Sequence, residues 1–117
     1  MREAIHKVKD QLGREYPLVI GGERITTEGK LDSFNPANRG QVIGRFNKAT
    51  KELAARSVET AYEAFQSWKK TPVNKRAELL FRVASIMRER KHELSAWMIH
   101  EVAKTWAEAC KSLYYSK

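Results

Sequence analysis

Asp32-Ser33-Phe34-Asn35-Pro36-Ala37-Asn38-Arg39-Gly40-Gln41-Val42-Ile43-Gly44 decides how the chain is read, because it divides a strand-like, glycine-punctuated first part from an almost uninterrupted helical remainder. Pro36 fixes its own φ and pushes Asn35 towards an extended conformation, Asn38 and Gly40 tolerate positive φ, and Val42-Ile43 resumes a strand pattern. The stretch predicts a turn between two short extended runs, Leu31 to Phe34 and Val42 to Phe46. By itself it predicts no chemistry.

Upstream of the turn, Ile5, Val8 and Leu12 share a helical face, which predicts a short amphipathic helix over 2–12 ended by Gly13. Tyr16-Pro17-Leu18-Val19-Ile20 reads as one strand, with Pro17 near its start where a missing amide donor is tolerated. Gly21-Gly22 then supplies a tight turn into Glu23-Arg24-Ile25-Thr26, a hairpin signature. The two glycines could also cradle a phosphate, but no helix start follows them. Glu28-Gly29-Lys30 looks like a second turn. The region 15–48 is therefore expected to be a small antiparallel strand meander, which buries little alone and needs a further layer.

Downstream, from Thr50, the period changes. Ala54, Val58, Ala61, Phe65 and Trp68 recur at intervals of four and three, a helix stripe expected to be core. Thr71-Pro72 ends that helix and starts another, with Thr71 as the expected N-cap and Pro72 in the first turn. Ala77, Leu80, Phe81, Ala84 and Met87 form the next face, widened by Leu79, Val83 and Ile86. So broad a face should be covered from two sides. Leu94, Trp97, Met98 and Val102 make a third stripe. No glycine or proline follows Val73, yet a single helix of that length is unusual, and a break is expected near Arg90 to Glu93. The fold class is α+β, one partial domain: a short amino-terminal helix in 1–14, the meander in 15–48, and two to four packed helices in 49–117.

Composition bounds the rest. Among 117 residues 42% are apolar and 31% charged, with three tryptophans, four tyrosines and four phenylalanines, which argues for folded segments over a disordered chain. A net charge of +8 would favour polyanions electrostatically. The basic residues are interleaved with acidic ones, however, as in Arg88-Glu89-Arg90-Lys91-His92, which weighs against a nucleic-acid partner. No apolar run approaches the ~20 residues needed to span a bilayer. The start has no signal-peptide core, so the cytoplasm is the default. The single cysteine, Cys110, cannot form an intrachain disulfide.

The motifs carry more in order than singly. Tyr16-Pro17-Leu18-Val19-Ile20-Gly21-Gly22-Glu23, then Asn35-Pro36-Ala37-Asn38 with Val42-Ile43-Gly44, then Ala61 to Trp68, resemble the amino-terminal region of the aldehyde dehydrogenase superfamily. Arg90-Lys91-His92-Glu93-Leu94 and Glu101-Val102-Ala103-Lys104-Thr105-Trp106-Ala107-Glu108-Ala109 look most like its bacterial 1-pyrroline-5-carboxylate dehydrogenase branch. The match covers roughly residues 2 to 109. Family members usually have glycine where this chain has Ala103, and Cys110 to Lys117 no longer follows the family well.

The resemblance implies, for the intact family, NAD-dependent oxidation of glutamate γ-semialdehyde to glutamate through a cysteine thiolate, hydride transfer to the nicotinamide, and a glutamate-activated water. The family places those residues downstream of this segment. No catalytic residue, no bound NAD and no dehydrogenase activity are expected of these 117 residues alone. Cys110, in an Ala-Glu-Ala-Cys-Lys helical context, matches no family nucleophile motif and reads as a packing or surface cysteine. His6, His92 and His100 show no zinc spacing. One family site maps here: a monovalent cation held by the carbonyls of Ser33 and Phe34 and the carboxylate of Glu101, oxygen donors that suit a hard ion. The other reading of Glu101 is an ordinary helix-face charge. A rival to the dehydrogenase reading is a non-enzymatic chain whose apolar helix faces bind a second copy or a related dehydrogenase subunit.

Overall fold

The computed structural model describes residues 1–114, in the order α1 (Arg2–Lys9), β1 (Arg14–Tyr16), β2 (Leu18–Ile20), β3 (Glu23–Ile25), β4 (Lys30–Asn35), β5 (Asn38–Asn47), α2 (Lys51–Trp68), α3 (Val73–Glu89), α4 (Lys91–Val102) and α5 (Trp106–Tyr114). Part of the carboxyl-terminal departure noted above, Tyr115 to Lys117, lies outside the described residues. The class is α+β, with a helix, short strands and four further helices.

The opening stretch is a tight hairpin. Pro36-Ala37 joins β4 to β5, and the Asn35 Oδ1 accepts the Ala37 amide at 2.9 Å, a side-chain turn that holds the corner. The strands around it do not form a simple antiparallel meander. β1 pairs in parallel with β5 (Arg14 with Gly44, Tyr16 with Phe46), β4 pairs antiparallel with β5, and β2 and β3 form a separate two-stranded hairpin. The expected strand over 16–20 is split at Pro17, whose missing amide cannot continue the ladder to β5. Gly21 and Gly22 both have positive φ, +60° and +84°, as a two-residue hairpin turn requires.

The helices depart from expectation at their ends for local reasons. α1 stops at Lys9, three residues early, because Gln11 and Leu12 turn back to the carbonyls three residues before them and Gly13 donates to the Ile43 carbonyl at 2.9 Å. Thr50 caps α2, its hydroxyl accepting the Leu53 amide at 3.3 Å. Thr71 is not the N-cap of α3: its amide donates to Trp68, so it closes α2, and the extended Pro72 (ψ 146°) is the residue before the helix. The expected break falls at Arg90. α5 opens with a capping box, formed by Thr105 and Glu108. The Thr105 amide donates to Glu108 Oε2 at 3.0 Å, and the Glu108 amide returns to Thr105 Oγ1 at 3.4 Å.

α4 ends at Ala103, whose φ of +53° and ψ of 31° are left-handed. Such a position favours glycine, because a Cβ crowds the following carbonyl. Ala103→Gly is expected to raise stability by about 1 kcal/mol, read as a higher urea midpoint with an unchanged slope.

The buried core is small: Val8 of α1, Ser95 and Ala96 of α4, Ala109 of α5, and Ile20 and Ile43 of the strands. α1 and α5 pack on α4, and α4 leans on β4. α2 and α3 join this body chiefly through β2 and α4 respectively and contain no buried residue. The α2 stripe expected to be core is thus a correction. The side of α2 turned to the body carries the half-buried Leu53, Ser57 and Thr60, whereas Val58, Phe65 and Trp68 are exposed. The radius of gyration, 17.4 Å, exceeds the roughly 13 Å of a compact chain of this length.

Candidate functional site

A concavity with convergent charged groups lies between the sheet and α4. It has a volume of about 430 Å³ and is lined by Gln11, Tyr16, Ile43, Phe46, Arg90, Glu93, Trp97 and Glu101. Tyr16 and Phe46 are neighbours across the parallel β1–β5 pair, and their rings stack with centroids 5.2 Å apart. Gly44 makes room for that stack. A Cβ there would sit 2.9 Å from Tyr16 Cε2. On the opposite wall, Arg90 forks onto Glu93, Nη2 to Oε1 at 2.6 Å and Nε to Oε2 at 3.1 Å. These hydrogen bonds hold the Glu93 carboxyl below the usual carboxylate range.

The lining contains no cysteine, histidine, serine or lysine. Such a wall of aromatic rings and fixed charges positions and packs; it offers no nucleophile beside a base. Cys110 is half-buried on α5 and does not line the cavity. His6 and His92 are exposed and His100 is half-buried. Among the described residues no cluster of three or more His, Cys, Asp or Glu side chains is placed to hold a metal.

Ser33 and Phe34 fall where the β4–β5 register shifts twice, between Ser33 and Phe34 and between Phe34 and Asn35, so the regular ladder is interrupted at the two carbonyls singled out above. Glu101 is exposed in the last turn of α4 and opens into the 430 Å³ cavity. Phe34 lines a different, shallow hollow with Asn35, Pro36 and Arg39. Ser33 and Phe34 are adjacent on β4, and α4, which carries Glu101, packs on β4.

Beneath the sheet a polar node joins four segments. Asn47, 5% exposed, donates through Nδ2 to Glu15 Oε1 (2.9 Å) and to the Tyr16 carbonyl (3.0 Å). Its Oδ1 accepts from the Thr27 amide and from Lys30 Nζ, both at 2.7 Å. Lys30 also pairs with Glu15, and this contact, with that from Asn47, holds the Glu15 carboxyl below its ordinary range. Neither this node nor the cavity was found from sequence, since each draws residues from separated segments with no fixed spacing. The one sequence signal was Arg90 to Glu93, an opposite-charge pair at i,i+3.

Comparison with known proteins places this geometry. The aldehyde dehydrogenase family matches residues 24–116, so the likeness runs past Ala109. The 1-pyrroline-5-carboxylate dehydrogenase of Geobacillus thermodenitrificans is 58% identical over 106 residues, 91% of this chain and 21% of that protein. A solved 1-pyrroline-5-carboxylate dehydrogenase from Thermus with bound NAD superposes with a TM-score of 0.91 at 42% identity, covering 96% of this chain and 22% of that one. Proline utilization A from Bdellovibrio bacteriovorus superposes with a TM-score of 0.92 at 31% identity, covering 95% and 12%. The chain spans about a fifth of the length of the curated relatives it matches.

Proposed function

Because the chain belongs to the aldehyde dehydrogenase family, we propose that it forms the amino-terminal layer of a cytoplasmic, NAD-dependent 1-pyrroline-5-carboxylate dehydrogenase, the oxidation of glutamate γ-semialdehyde to glutamate in proline degradation. The carrying observation is 58% identity across 91% of the chain to a protein of that name. NAD, when bound, accepts the hydride of the aldehyde carbon. The residues present here serve as scaffold. β1 and β5 seat the Tyr16–Phe46 stack, α4 braces the sheet, and the Arg90–Glu93 fork fixes the start of α4. The 117 residues alone bind no NAD and carry out no dehydrogenation, because they provide neither an activated thiolate nor a dinucleotide-binding turn. The carbonyls of Ser33 and Phe34 and the carboxylate of Glu101 are assigned as partial contributions to a monovalent-cation site, which needs further oxygen donors to close.

A chimera tests the assignment. The matched 106 residues of the Geobacillus thermodenitrificans relative are replaced by the corresponding residues of this chain, and NADH production from glutamate semialdehyde is followed. We expect kcat/KM within about tenfold of the parent and no NADH from the purified 117-residue chain. A soluble chimera without activity, or NADH from the chain alone, would overturn the reading.

A second reading, a non-enzymatic chain that associates through its helix faces, is favoured by the uncovered apolar residues of α2 and α3.

A further inference from the structure

α3 is apolar on more than one side. Leu79, Val83 and Ile86, spaced at four and three, are exposed on one side, and Phe81, 73% exposed, stands on another. The helix meets the rest of the chain chiefly at α4 and buries no residue. A helix with so wide an apolar surface belongs between two layers, and here only one is present. On α2 the exposed stripe of Val58, Tyr62 and Phe65 runs between Lys51 and Lys69, and Lys69 Nζ lies 5.6 Å from the centre of the Phe65 ring. Lysines at the ends of an apolar stripe can hold their ammonium groups in water while their stems are covered, so these two cations do not oppose burial of the stripe.

The size of the uncovered surface says what kind of partner fits it. The chain measures 44 × 39 × 18 Å, and a helix with its side chains is about 10–12 Å across, so the thin dimension holds no more than two layers. Its accessible surface of 9077 Å² exceeds by about 2,500 Å² the roughly 6,500 Å² of a closed body of 13.5 kDa. The segment matched in the Geobacillus thermodenitrificans relative is 21% of that protein, so most of the relative lies outside it. An excess of that size is about three times the ~800 Å² that each partner buries in a stable complex, enough to hold two chains together without a peptide bond between them.

We propose that α2 and α3 are the seat of the rest of the dehydrogenase, and that the 117-residue chain docks on it through these stripes even when the two are supplied as separate chains. This rests on the dehydrogenase reading and names the partner, the face and the kind of contact.

The chain, carrying an affinity tag, is co-produced with the part of the Geobacillus thermodenitrificans relative that follows the matched segment. An equimolar complex is expected, with NADH production from glutamate semialdehyde within about tenfold of the intact parent. Phe65→Asp together with Val83→Asp, both at exposed sites of the chain itself, should lower the affinity by about a hundredfold, while circular dichroism of the chain alone keeps its helical signal. A variant that loses its helices would show that these faces serve the chain internally and would overturn the inference. So would a chain that pairs only with itself, or a remainder that assembles with the parent's own segment, or with neither, but not with this chain. A complex indifferent to the two aspartates would overturn the seat on α2 and α3. The covalent chimera separates the two levels: an active chimera beside failed assembly overturns the docking alone, whereas a soluble, inactive chimera overturns the dehydrogenase reading beneath it.

Discussion

Asn47→Ala is expected to destabilise the fold by about 3 kcal/mol, moving the urea midpoint down by roughly 2 M or removing the folded baseline. The size follows from what is orphaned. Truncation deletes no large apolar volume, but it strips partners from the Tyr16 carbonyl, the Thr27 amide and the Glu15–Lys30 pair at once. Each part-buried polar group left unpaired costs on the order of 1 kcal/mol or more, and three arise together. Asn47→Asp separates shape from hydrogen bonding. It keeps the acceptor for Thr27 and Lys30, but it loses the donor to Tyr16 and sets a second carboxylate beside Glu15. It should therefore remain clearly destabilised. Hydrogen exchange gives a local check, because the Thr27 amide is held by the Asn47 side chain itself and should lose protection first. Native protection at Thr27 in Asn47→Ala would show that the node is ornamental.

The importance of Asn47 was invisible in the sequence, and the reason is physical. Local rules govern contacts a few residues apart: two glycines at 21 and 22 specify a hairpin, and periodic apolar residues specify helices. Those features were legible. Asn47 acts across 20 and 32 residues, on Thr27 and Glu15, where nothing periodic marks it. The parallel pairing of β1 with β5 was missed for the same reason: strand alternation states that a segment is extended, never which neighbour it joins.

The α2 stripe shows a different limit. Its periodicity correctly identified a helix, but the inference from apolar to buried requires a partner. In this chain the body meets the adjacent side of α2, through Leu53, Ser57 and Thr60. Of the candidate cation ligands, Ser33 and Phe34 fall at an irregular part of β4, a placement that the Asn35-Pro36 turn beside them hints at but does not dictate. Which way Glu101 points, into the hollow between the sheet and α4, depends on the rotation of α4 against the sheet, which the sequence of α4 leaves unspecified.

Gly44→Ala is expected to cost about 2 kcal/mol, although it adds a single methyl group to a strand residue. In most strands that change would be neutral or favourable, since alanine loses less backbone entropy than glycine. Here the Cβ would lie 2.9 Å from Tyr16 Cε2, 3.2 Å from Tyr16 Cδ2 and 3.2 Å from Phe46 Cζ. The contacts are with ring atoms, which cannot bend away as a flexible chain end does. The stack must shift as a unit or β1 must leave β5. Because β1 is only three residues long and the Tyr16–Phe46 stack lines the cavity beneath α4, undocking of β1 is the expected response. Near-ultraviolet circular dichroism should lose aromatic signal while the helical far-ultraviolet signal is kept. A double-mutant cycle isolates the cause. Phe46→Leu removes one ring, so combining it with Gly44→Ala should cost less than the sum of the two by about 1 kcal/mol. Strict additivity would mean that the glycine serves the backbone of β5 and not the ring stack above it.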